Sequence, residues 1–193
     1  RNLMRSILLI VSLFLGIVSC TNAPTARPMG FMRIGLPTSD SSIVLTSDFC
    51  GFNAQVKNYV EVRYTDSLNC WVDLVYPDIK STIQLTYKTI DSNLEELLME
   101  AQKLAYKHTV KATGMREQQF SYQDNHVYGM YYEMSGASAT TTQFYATDSN
   151  SHFLRGVMYH YSAPNPDSLA PVTDFMRSEI LSLISSVQWK DGE

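Results

Sequence analysis

The sequence predicts an α+β domain in which an antiparallel β-sheet is covered by two amphipathic helices. Three observations carry this. Short alternating segments follow one another with brief turn-rich connections, so neighbours pair antiparallel. Two stretches carry apolar residues at helical spacing. These helical stretches lie far apart in the chain, which fits α+β rather than repeating βαβ units.

The elements follow in order. Gly30–Pro37 reads as a short first strand, and "TSDSSIVLTSD" after it reads as a loop. "CGFNAQV", "YVEVRY" and "CWVDLVYP" are β-rich. In the last, Trp71, Asp73 and Val75 fall on one face and Val72, Leu74 and Tyr76 on the other, until Pro77 ends it. "STIQLTYKTI" alternates, placing Ile83, Leu85 and Tyr87 together.

A helix is predicted next. Ser92 and Glu95 have the spacing of a capping box, and Leu94, Leu97, Leu98, Ala101, Leu104, Ala105 and Ala112 form its apolar stripe. Gly114 supplies a left-handed stop. Glu96, Glu100, Lys103 and Lys107 form a solvated face. Four more strands follow, in "MREQQFSY", "HVYGMYYEMSG", "TTTQFYAT" and "HFLRGVMYHYS", with Asp148–Ser151 as a hairpin turn between the last two. After a proline-rich connection, a last helix is predicted from about Pro171. Val172, Phe175, Met176, Ile180, Leu183, Ile184 and Val187 line one of its faces, and Trp189 closes it.

The first segment has a different character. Arg1 and Arg5 precede a nearly unbroken apolar run, Ile7 to Val18. That is short of the roughly 20 residues of a transmembrane helix and matches the apolar part of a secretory signal. Ile17-Val18-Ser19 before Cys20 resembles a bacterial lipobox, whose cysteine is acylated and becomes the mature N-terminus. "TNAPTARP" then reads as a flexible tether. The expected organisation is a lipoprotein signal over 1–19, a tether over 20–29 beginning at lipidated Cys20, and one domain over 30–193.

Removing 19 of 193 residues leaves 174, enough for one domain with a real core. The net charge of -4 and the lack of a basic cluster argue against nucleic acid as a partner. Of three cysteines, Cys50 and Cys70 remain once Cys20 is acylated, and export favours a disulfide between them.

Motifs for chemistry are not legible. His108, His126, His152 and His160 have no metal-site spacing among themselves or with cysteine. His152 and His160 can share a strand face, but eight strand residues separate them by about 26 Å. The chain carries no G-x-S-x-G elbow, phosphate loop or dinucleotide fingerprint. Asp66, Asp73, Asp78 and Glu133 are scattered. "SGASAT" (Ser135–Thr140) is small and flexible, able to present backbone amides to a ligand, though such stretches more often form a bulge or loop. The aromatics Tyr128, Tyr131, Tyr132, Phe144, Tyr145, Tyr159 and Tyr161 are expected to divide between core and surface. No catalytic residue, metal site or cofactor is expected.

The lipobox, "RPMGFMRIGLP", "NCWVDLVYP", the run from "STIQLTYKTI" to "HTVKA", the run from "VYGMYYEMSG" to "APNPDSLAPV" and the closing "QW" resemble the gliding-motility lipoprotein GldD family of Bacteroidetes. The resemblance covers nearly all of the expected mature chain. It implies a membrane-anchored, non-enzymatic accessory of gliding and type IX secretion, working through contact with other envelope proteins. Thr21 in place of an aspartate favours the outer membrane, facing the periplasm. The sheet-and-helix pattern is similar to the PsbP/Mog1 type. The alternative function is an envelope lipoprotein that binds a ligand or peptide through "SGASATTTQFY", with an enzyme third.

Overall fold

The computed structural model describes residues 34–66, 68–108, 112–136, 138, 140–162 and 165–190. The signal segment, Cys20 and the tether lie outside these residues. A seven-stranded antiparallel sheet forms the middle layer. It comprises β3 (Glu61–Asp66), β4 (Trp71–Tyr76), β5 (Ser81–Thr89), β6 (Ala112–Tyr122), β7 (Val127–Gly136), β8 (Thr142–Thr147) and β9 (His152–His160), in the spatial order β3-β4-β5-β9-β8-β7-β6. β5 runs beside β9 over nine residue pairs, from Ser81↔His160 to Thr89↔His152. This pairing joins the early hairpins to the later meander. A smaller antiparallel sheet has the order β1-β2-β10, built from β1 (Ser42–Leu45), β2 (Phe52–Lys57) and β10 (Gln188–Trp189).

Side-chain alternation decides which helix covers which face. On one face Val72, Leu74, Ile83, Leu85, Tyr131, Phe144, Leu154 and Met158 pack with Val172, Met176, Ile180, Leu183 and Ile184 of helix α2 (Pro166–Ser186). Phe52, Ala54 and Val56 of the small sheet join this core. On the other face helix α1 (Leu94–Lys107) buries Leu97 and Ala101 against Phe153, and Ala105 against Tyr132 and Met134. Gly156 is required on the α2 face, because a Cβ there would stand 2.1 Å from the Phe144 ring.

The structure is α+β, and the alternation expected for Trp71–Tyr76 and for Ile83, Leu85 and Tyr87 is present. Several boundaries differ. The described part of the expected first strand, Ile34–Pro37, is irregular. The expected loop after it contains β1, because Ser42–Leu45 finds a partner in β2. Ser92 is not the cap of α1. It has φ 56°, and Asn93 occupies the N-cap. Gly114 does not stop α1, which ends at Lys107. Gly114 sits instead at a register shift in β6, and Ala112 reaches the α1 cluster from that strand. Helix α2 starts at Pro166, five residues before the expected Pro171. Asn165 caps it by accepting a hydrogen bond from Ser168 N (3.2 Å), and exposed Pro171 lies inside the helix.

Candidate functional site

β7 ends at Gly136, β9 ends at His160, and the first three turns of α2 cross over both strand ends. A cavity of about 360 Å³ lies between them. Its walls include Ser135 from the end of β7, Ser138 and Thr141 from the β7–β8 connection, Tyr159 and His160 from β9, and Leu169, Thr173 and Arg177 from α2. Gly136 makes the turn into the connection with φ 91°, a conformation that glycine tolerates best.

His160 joins three elements. Ser81 Oγ donates to Ile79 O (3.1 Å), so it accepts from His160 Nδ1–H at 2.8 Å. His160 Nε2 then accepts from Thr173 Oγ at 3.0 Å. Burial holds the His160 pKa below its ordinary 6.5, consistent with a neutral ring that donates once and accepts once. The chain Thr173–His160–Ser81–Ile79 leaves the imidazole no free nitrogen for acid–base work.

At the cavity edge Glu133 pairs with Arg116 (2.8 Å) and lies 4.0 Å from Arg177 Nε, while Arg177 Nη1 lies 3.2 Å from Asp174. Charges alternate along this row, so Glu133 serves as the counter-ion of two arginines. Tyr131 nearby is pushed up to about 12, first by burial and then by the Glu133 charge.

The "SGASAT" stretch is held by its own polar groups where it is described. Ser138 Oγ donates to Thr140 O (2.7 Å). Gln143 Nε2 donates to Thr140 Oγ1 (3.1 Å), and Arg155 Nη2 donates to Gln143 Oε1 (2.7 Å).

A second constellation lies at the other end of β9. His152 Nδ1 is 2.8 Å from the Tyr87 hydroxyl, and its ring stacks on Trp189 with centroids 5.2 Å apart. Trp189 Nε1 donates to His126 O (3.0 Å), which closes the small sheet onto the β6–β7 turn. Asp148 Oδ1 accepts from the amides of Asn150, Ser151 and His152. Burial opposes ionisation of Asp148, but these donors together outweigh it and its pKa lies below the usual carboxylate value. The expected hairpin turn is thus an Asp148-centred turn.

Other residues singled out in the sequence stand apart. Cys50 and Cys70 are bonded, with Cα atoms 5.3 Å apart. Exposed His126 occupies a left-handed position, φ 53°. Asp73 has its pKa raised, chiefly by burial and against the Arg63 charge. Tyr131, Tyr132 and Phe144 are buried, Tyr128, Tyr145 and Tyr159 half-buried, and Tyr161 exposed. Among the described residues no three His, Cys, Asp or Glu side chains are grouped to hold a metal, and no helix is long and apolar enough to cross a membrane. The contact between Thr173 and His160 could not be read from the sequence, because it depends on where α2 crosses the sheet.

The family model described as gliding motility lipoprotein GldD matches residues 21–189. Comparison with curated proteins gives no match. Among solved structures, the solution structure of cyanobacterial PsbP from Synechocystis is similar, with a TM-score of 0.49 and 10% identity, covering 84% of this chain and 99% of that one.

Proposed function

The chain belongs to the gliding motility lipoprotein GldD family, and from that premise we propose a lipid-anchored accessory of gliding and type IX secretion that acts by protein–protein contact and not as an enzyme. Acylated Cys20 holds it to the outer membrane, with the domain facing the periplasm and the Cys50–Cys70 bond formed there. The observation that carries this reading is the extent of the match. It runs over 21–189, so nearly the whole of the expected mature chain carries the family's pattern. The engagement of His160 and His152 in structural contacts supports contact over catalysis.

The test is complementation of a gene deletion, read as colony spreading or cargo secretion. Wild type restores both, and Cys20→Ser restores neither fully, because tethering raises the local concentration at membrane partners. Alanine at Glu133, His126, His152 or His160 restores function wherever the variant folds. A folded, correctly localised alanine variant without function would put an enzyme ahead. Protease shaving of intact cells that removes the domain would refute the periplasmic orientation.

A second reading, a ligand- or peptide-binding lipoprotein, is favoured by the cavity beside Ser135–Thr141. Ala170→Trp, placed to fill that cavity, separates the two readings. The contact reading expects full complementation, and the binding reading expects loss.

A further inference from the structure

We propose that the disulfide-bonded end of the domain is a second membrane contact, with Phe49 and Leu68 entering the bilayer that carries the lipid anchor. This rests on the anchored-lipoprotein reading above. Phe49 lies in the turn between β1 and β2, and Leu68 in the turn between β3 and β4. Leu68 is 90% exposed, Phe49 61% and Trp71 49%. Phe49 and Leu68 border one open recess, together with Cys70 and Lys88.

Large apolar side chains left this open are ordinary when single and informative when grouped. Here they sit on built turns. Asp66 Oδ1 accepts from Leu68 N (3.0 Å) and Asn69 N (3.1 Å), and Asp66 Oδ2 accepts from Asn69 Nδ2 (2.6 Å). Ser47 Oγ accepts from Phe49 N (3.3 Å), and Ser47 O accepts from Cys50 N (3.1 Å). The Cys50–Cys70 bond joins the two turns. The Tyr64 hydroxyl ties them again by donating to Thr46 O (2.9 Å). The backbone amides that carry the exposed tips are therefore already engaged before any contact, which lowers the entropy lost on docking.

Three features favour a bilayer over a protein as the occupant. The tips project from turns, a shape that fluid hydrocarbon accepts without a matching socket. Tyr64 in β3 and Trp71 at the start of β4, on the strands that lead into and out of the Leu68 turn, combine an apolar ring with a polar tip and suit the headgroup level. The bilayer is also close by. Thirteen residues separate Cys20 from Ile34, so the anchored lipid lies within about 50 Å of contour from the start of the described domain. Tethering at that range makes even a weak insertion effective. Lys88 at the recess is already paired with Glu100 (3.1 Å), and Lys190 Nζ donates to Ser47 O (2.7 Å). Apolar burial therefore holds the contact, and salt has little effect on it.

The experiment places the full lipidated protein in phosphatidylethanolamine–phosphatidylglycerol vesicles with brominated acyl chains and reads tryptophan emission. Trp71, three residues after Leu68 and half exposed on the α1 side of the sheet, is the reporter near the tips, while Trp189, stacked on His152, supplies a constant background. Emission is expected to fall by about a third or more relative to unbrominated vesicles, unchanged up to about 0.5 M salt. Phe49→Ser with Leu68→Ser should still float with the vesicles and lose that quenching. Flotation without quenching, or equal quenching of the double variant, overturns the proposal alone. Failure of the parent protein to float overturns the anchored reading and this proposal with it. Full quenching loss at high salt overturns the apolar mechanism. Absence of quenching together with lost function in the double variant would assign the patch to a protein partner, and that too overturns the bilayer.

Discussion

The two faces of the seven-stranded sheet are covered by helices of different depth. On the α2 face, Met176, Ile180 and Ile184 are at most 1% exposed and meet side chains from both sheets in one continuous cluster. On the α1 face, Leu97, Ala101 and Ala105 belong to two small separate clusters, and Met99 and Tyr106 of the same helix stand open. The difference follows from chain order. α2 is followed directly by β10, which pairs with β2, so the β1–β2 ribbon adds Phe52, Ala54 and Val56 to the core that the inner stripe of α2 buries. α1 gains no such second partner: its clusters hold only residues of the large sheet and its flanks. The same comparison locates the candidate site, because the cavity forms where α2 extends past the strand ends and the core beneath it runs out.

The contrast breaks first at Ile180. Ile180→Ala leaves a hole that sheet and ribbon cannot both close, and an expected loss of about 4 kcal/mol should appear as a lower urea midpoint with an unchanged slope. Next comes the bond that holds the ribbon to the main sheet. Cys50 and Cys70 are 20 positions apart, so Cys50→Ser with Cys70→Ser should cost about 3 kcal/mol in the chain-entropy model. Leu97→Ala should cost only about 2 kcal/mol, because α1 can settle inward from its solvent side. Equal losses at Ile180 and Leu97 would show that the two faces are equally packed and the comparison is wrong.

The sheet was legible in the sequence because alternation at Trp71–Tyr76 and Ser81–Thr89 is a local signal that burial enforces. Both helices were legible from their stripes. Their ends were not. Gly114 has the chemistry of a helix stop, yet the chain had already left α1 and entered β6, where a bulge uses the same residue. Pro171 has the chemistry of a helix start. However, Asn165 is the better cap, and Pro171 faces solvent inside the helix, where its missing N–H is more easily tolerated. β1 was hidden because Ser42–Leu45 is too short to show a period until β2 lies beside it. Of the candidate site, Ser135–Thr140 was singled out by its small residues. The wall that α2 builds against it, and the Ser81–His160–Thr173 chain, depend on packing between segments far apart in sequence.

The smallest effect concerns pH and tests whether the α2 face is closed around His160. Its pKa is lowered by burial, so the unfolded chain binds a proton at higher pH than the folded one does. The sign follows: the stability is fully present above the ordinary histidine value of 6.5 and is lost as pH falls from there through the lower folded value. His108 contributes with the same sign, lowered by burial and then by Arg155 and Lys107. The carboxylate of Asp148 titrates in a separate, more acidic range. Urea unfolding at pH 7 and pH 5 should therefore show wild type weakening between the two. His160→Gln keeps a donor for Ser81 and an acceptor for Thr173 but cannot charge. It should weaken less over that interval, with His108 contributing to the remaining slope. A variant with the full wild-type slope would mean that His160 titrates alike in both states, and that water reaches the α2 face at the end of β9.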